Sequence, residues 1–279
     1  MMLEDEVAAL ARLPTLSLLS VATARPTATA TPTTTRTATR TATPTATPTS
    51  KLLVPAYFYP DVWNTPNQWF TMCDNAPSQS IVIMNPNSGP GMSSNSDYVT
   101  AVGHCQTNNI NVIGYVYTSY GSRALSAVEA DIDKYYNWYG VNGIFLDQMS
   151  SNARTLSYYQ TLFNYIHTRG DSLHDLNVGN MGTAPTTDWP LHHGIVDILN
   201  IFEGSASSFS SFSMPSWASN YVPSSFSIIV YGVSSSSLRS ICSTISNTDQ
   251  VTYRYVTDGT LPNPYGSLPS YWNTEASSC

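Results

Sequence analysis

The stretch 141–149, Val-Asn-Gly-Ile-Phe-Leu-Asp-Gln-Met, constrains the fold more than any other part of the chain. Ile144, Phe145 and Leu146 are consecutive apolar residues, so a strand built from them is buried on both faces. Strands of that kind belong to parallel sheets covered by helices. The run ends on Asp147, and the carboxyl ends of parallel strands are where α/β folds open toward ligands. Asp147 is therefore the candidate centre of a site.

Seven further short runs read as strands, over 52–59, 80–84, 111–117, 177–180, 195–202, 226–231 and 250–256. Helical spacing lies between them at 95–108, 124–138, 156–168 and 238–246, with a helical or irregular stretch at 63–74. Eight strands with interposed helices predict a closed (β/α)8 barrel. An open doubly wound sheet is the alternative, but no glycine fingerprint follows the first strand.

Only part of the 279 residues suits such a barrel. Half of residues 25–50 are Thr, and all the others except Ser50 are Ala, Pro or Arg. A tract without large apolar side chains cannot offset the entropy of ordering, so it reads as an extended, O-glycosylated stalk. Residues 1–24 read as a signal peptide or leader: 13–24 is apolar and ends Ala-Thr-Ala, although Glu4, Asp5 and Glu6 stand where a secretion signal is basic. Residues 51–279 form the single barrel domain. The expected localisation is secreted, extracellular or cell wall, with no membrane span in the mature protein and a monomeric state.

From Lys51 onward, 7 Lys and Arg face 15 Asp and Glu, with no basic run. This balance excludes nucleic acid as a partner and fits a neutral or polycationic substrate. Cys73, Cys105, Cys242 and Cys279 show no CxxC spacing; behind a leader they predict two disulfides in one of three pairings, the alternative being buried thiols. His192-His193 has no third ligand at suitable spacing, so no metal is expected.

The strand ends gather Tyr57, Tyr59, Asn85, Tyr115, Tyr117, Asp147, Gln148, Asn180, Glu203, Tyr231, Tyr255 and Asp258. Two carboxylates on strands four and six, among aromatic rings that stack on sugars and amides that bond hydroxyls, form a candidate glycosidase site. Each has a plainer reading: an Asp after a strand often caps a helix, and a single Tyr often only packs. Glu is a poor cap, which makes Glu203 the harder of the pair to explain structurally.

The runs Val54-Pro55-Ala56-Tyr57-Phe58-Tyr59-Pro60, Gly143 to Ser150 and Asn200-Ile201-Phe202-Glu203, in that order, resemble the spherulin-4 family, glycoside hydrolase family 135, across nearly all of 52–273. The resemblance implies a secreted or cell-surface (β/α)8 barrel. It also implies endo-hydrolysis of α-1,4-linked N-acetylgalactosamine stretches in galactosaminogalactan, with no cofactor. Asp147 and Glu203 match the family's strand-four Asp and strand-six Glu. The family usually has Asp-Glu at 147–148, whereas this chain has Gln148, which keeps the shape of Glu but cannot ionise.

The expectation is a retaining glycosidase with Asp147 as nucleophile and Glu203 as general acid/base on a polysaccharide, the alternative being the same pair with the roles exchanged. Tyr57, Tyr59, Asn85, Tyr117, Gln148, Asn180 and Tyr231 are the expected substrate-binding residues. The alternative, carried by Gln148, is a non-catalytic carbohydrate-binding or cell-coat barrel.

Overall fold

The computed structural model describes residues 50–169 and 174–279. The expected leader and nearly all of the expected stalk lie outside the described residues. Eight parallel strands close into a barrel in sequence order: β1 (Lys51–Ala56), β2 (Ile81–Met84), β3 (Asn111–Tyr117), β4 (Gly143–Asp147), β5 (Leu176–Asn180), β6 (Ile198–Ser205), β7 (Phe226–Tyr231) and β8 (Tyr253–Val256). The helices α1 (Gln68–Asn75), α2 (Ser96–Thr107), α3 (Leu125–Tyr139) and α4 (Leu156–Arg169) follow the first four strands. The later ones are shorter: α5 (Trp189–His192), α6 (Ala206–Phe209), α7 (Leu238–Ser243) and α8 (Trp272–Ser278). The (β/α)8 expectation holds.

β6 runs on to Ser205, beyond the expected end at 202, and at three other strand boundaries a loop takes the backbone groups. β1 stops at Ala56 because the Tyr57 N–H donates to the Tyr265 carbonyl (3.2 Å) in the loop after β8. β6 begins at Ile198, since the Ile195 N–H closes the turn after α5 onto the Pro190 carbonyl. β8 begins at Tyr253, with the Val251 and Thr252 N–H groups bonded to the Ile245 and Pro223 carbonyls. The 63–74 stretch is irregular until Asn67, whose side chain accepts from the Phe70 N–H and caps α1.

Register places neighbouring residues of a parallel sheet on one face, so the interior can be followed around the barrel. Phe145 pairs with Tyr115 and Val178, and Asp147 with Tyr117; Asn180 pairs with Asn200, and Asn200 with Ser227. On the outer face of β3, Gly114 is required: a Cβ there would lie 2.3 Å from the Tyr135 ring of α3. Disulfides join Cys73 to Cys105, tying α1 to α2, and Cys242 to Cys279, tying α7 to the residue after α8. Among the described residues no helix is long and apolar enough to cross a membrane.

Candidate active site

Alternation along β6 does not by itself bring Glu203 into the barrel. Asn200 faces inward, bonded to Asn180 and Ser227, and strict alternation would turn Glu203 outward. A β-bulge intervenes: against β7 the register jumps from Asn200–Ser227 to Phe202–Ile228. Ile201 and Phe202 consequently both pack in the outer cluster with Phe209 and Ile228, and Glu203 returns to the interior opposite Ile229.

Asp147 reaches the same place from β4. The next residue, Gln148, adopts a left-handed backbone (φ 51°), which ends the strand sharply. That turn is held by its carbonyl, which accepts from the Tyr120 N–H (2.8 Å) and the Thr118 hydroxyl (2.7 Å).

Asn180 joins the two carboxylates. Its Nδ2 donates to Asp147 Oδ1 at 2.8 Å and to Glu203 Oε2 at 2.7 Å. One nitrogen serving both means that the accepting oxygens are at most about 5.5 Å apart, a close pair of the kind that retaining glycosidases use. Asn180 Oδ1 accepts from Asn200 Nδ2 (2.9 Å) and the Gly182 N–H (2.9 Å), and Asn200 Oδ1 accepts from the Ser227 hydroxyl (2.9 Å). Every hydrogen-bonding position of the Asn180 amide is thus engaged, which fixes its orientation.

Two tyrosines complete the set. Tyr115 donates its hydroxyl to Asp147 Oδ2 (2.7 Å), and Tyr265 donates to Glu203 Oε1 (2.6 Å). Tyr57 stands between them, edge-on to both rings at 5.7 and 5.5 Å. Burial, and then the two carboxylates, push its hydroxyl well above the ordinary tyrosine range. Burial likewise holds Glu203 above the usual carboxylate value, with Asp147 adding to the rise, while the bonds from Tyr265 and Asn180 oppose it. Such an environment suits a carboxyl that must carry a proton into the reaction.

The other candidate residues surround this centre to different degrees. Tyr117 lies in register with Asp147, and the Arg123 guanidinium covers its ring at 4.2 Å. Tyr231 ends β7 close enough to Tyr265 to add to the rise of that hydroxyl. Asn85 accepts from the Gly89 N–H (2.9 Å), shaping the loop after β2. Tyr59 lies beyond Tyr57 and is half-exposed. The hydroxyl and amide groups that orient Asp147 belong to Tyr115 and Asn180 rather than to Gln148.

The sequence reading missed three participants, Tyr265, Asn200 and Ser227. Asn200 carried a signal, as a lone amide within an apolar run. Tyr265 carried none, because it sits in the irregular segment between β8 and α8.

Residues 51–279 match the spherulation-specific family 4. Spherulin-4 of Physarum polycephalum is 35% identical over 241 residues, covering 81% of this chain and 69% of that protein. The crystal structure of Aspergillus clavatus Sph3 in complex with GalNAc is similar in fold, with a TM-score of 0.70 and 22% identity, covering 82% of this chain and 96% of that one. With the match spanning the entire barrel, the chain belongs to the spherulation-specific family 4.

Proposed function

We propose that this protein is a retaining endo-glycosidase acting on α-1,4-linked N-acetylgalactosamine stretches of a galactosaminogalactan-type exopolysaccharide. The observation that supports this reading is the Asn180 bridge, which brings Asp147 and Glu203 together, as a two-carboxylate displacement requires. Glu203, raised by burial, donates its proton to the glycosidic oxygen as the bond to the anomeric carbon breaks. Asp147 attacks that carbon and forms a glycosyl-enzyme. Glu203, now ionised, then takes a proton from water, whose oxygen displaces Asp147 and releases the sugar.

Tyr115 and Tyr265 hold the two carboxylates at fixed angles through this exchange. Tyr57, Tyr117 and Tyr231 furnish aromatic walls, and Gln148 and Asn85 furnish polar groups at the mouth. The similarity to Sph3, which was crystallised with GalNAc, supports the choice of sugar. Two disulfides suit a secreted or cell-wall protein working as a monomer on an external polymer.

A second reading, a barrel that binds the polymer without cleaving it, rests on Gln148, an amide where the family resemblance implies a carboxylate. Incubating α-1,4-N-acetylgalactosamine oligosaccharides with the wild type, Asp147→Asn, Glu203→Gln and Gln148→Glu separates the two. The enzyme reading requires products from the wild type and none from the first two variants. Products from Gln148→Glu alone would establish the binding reading.

A further inference from the structure

A groove of about 470 Å³ lies between Tyr59, which follows β1, and the loop that joins β2 to α2. Tyr98 and Tyr139 form its buried floor, and Asn87, Met92 and Ser94 lie along its open side. Every residue lining it is uncharged, so it presents hydroxyls, an amide surface and aromatic rings but no group to neutralise a charged ligand.

The groove is built rather than incidental. The Tyr139 hydroxyl donates to the Pro90 carbonyl (3.1 Å), the Gly89 N–H to Asn85 Oδ1 (2.9 Å), and the Asn87 N–H to the Gly89 carbonyl (3.1 Å), so the loop is pinned from below. Tyr59 is 53% exposed, yet its position is fixed at both ends. Its hydroxyl donates to Asp97 Oδ2 (2.8 Å) and accepts from Asn95 Nδ2 (3.2 Å), and its ring stands edge-on to Tyr98 at 5.7 Å. An exposed aromatic ring held this way keeps its outer surface available without the entropy cost of ordering it on binding. Tyr57, which lies beside the carboxylate pair, is only two residues away, a backbone span of at most about 7 Å. Tyr57 and Tyr59 thus leave the same end of β1, one toward the carboxylate pair and the other toward the groove.

We infer that this groove is a distal saccharide subsite, in which the exposed face of Tyr59 stacks on a neutral hexosamine residue of a polymer threaded through the carboxylate site. The inference rests on the saccharide reading of that site and adds to it a requirement for substrate length. It assigns Tyr59 to a residue of the polymer that is not itself cleaved.

The test measures binding of α-1,4-N-acetylgalactosamine oligosaccharides, disaccharide to hexasaccharide, to the full chain carrying Glu203→Gln by calorimetry, beside cleavage of the same series by the wild type. Affinity is expected to rise with length as the groove fills. Adding Tyr59→Ala is expected to remove roughly three- to tenfold of that increment. Ser94→Trp, which fills the groove from its exposed rim, removes it without touching the Tyr59 tether, and guards against a loss caused by misfolding. An increment that survives both substitutions, or no dependence on length, overturns the subsite. Absence of cleavage by the wild type counts against the hydrolytic reading alone, since the length increment decides the groove independently.

Discussion

Removing the Asn180 amide should change the charge state of the carboxylate pair it bridges. Two ionised carboxylates about 5 Å apart repel by about 3.3 kcal/mol at an effective dielectric near 20. Asn180 donates one hydrogen bond to each, and bonds to charged groups are worth about 1.5–3 kcal/mol apiece. The two bonds together match or exceed the repulsion, so the doubly ionised pair depends on them. Asn180→Ala deletes both and also leaves Asn200 Nδ2 and the Gly182 N–H without their acceptor. Asn180→Asp keeps the shape and the acceptor but substitutes a third carboxylate for the donors.

The assay is a carbon-13 NMR titration of labelled carboxyl groups, with thermal melting across the same pH range. Glu203 is already raised by burial and by Asp147, and Asn180 is one of two bonds that oppose the rise. Its titration should therefore move to higher pH in Asn180→Ala and further still in Asn180→Asp. A carboxyl raised in the folded state gives stability that is fully present below its unfolded value, and that stability is lost as pH rises through the folded one. Both variants should thus melt below wild type at neutral pH, with the gap narrowing on acidification as repulsion disappears. Titration curves that superimpose on wild type, or a gap that does not narrow, would refute the bridging role.

Two other predictions follow from single groups. Tyr265→Phe removes the hydrogen bond that most lowers Glu203, so the alkaline limb of hydrolysis, where the acid loses its proton, should move up in pH, and the melting temperature should fall at neutral pH and recover on acidification. An unmoved limb would remove Glu203 as the acid or Tyr265 as its partner. Glu275, wholly buried behind β8 and accepting from the Val256 N–H (2.6 Å), is pushed up to about 8 by burial. The stability it confers is present below the unfolded value and falls as pH rises toward 8, at about 1.4 kcal/mol per pH unit. Glu275→Gln keeps the carbonyl acceptor and should flatten that slope; parallel stability profiles for the two proteins would contradict it.

The barrel was legible because each strand carries its own signal. Ile144 to Leu146 is apolar on both faces, and the helices between strands keep their spacing. Asp147 was legible for the same reason, as a carboxylate at the end of a buried run. Glu203 was found as a strand-terminal residue, yet nothing in a single strand reveals the bulge at Ile201 that turns it inward, since a bulge exists only relative to β7. The double donation by Asn180 is likewise a property of three strands at once. Tyr265 was invisible because the segment after β8 has no periodicity, and its position depends on a bond to Tyr57 more than 200 residues earlier in the chain. The pairing of the four cysteines needed the packing of α1 on α2 and of α7 near the C-terminal residue.

The most direct test of the account follows the anomeric protons by NMR as the wild-type protein is mixed with an α-1,4-N-acetylgalactosamine hexasaccharide. Two carboxylates held by one amide predict new reducing ends that appear first as the α-anomer and then mutarotate, with no signal from Glu203→Gln. A β-anomer first, or no new reducing end from the wild type, would contradict it.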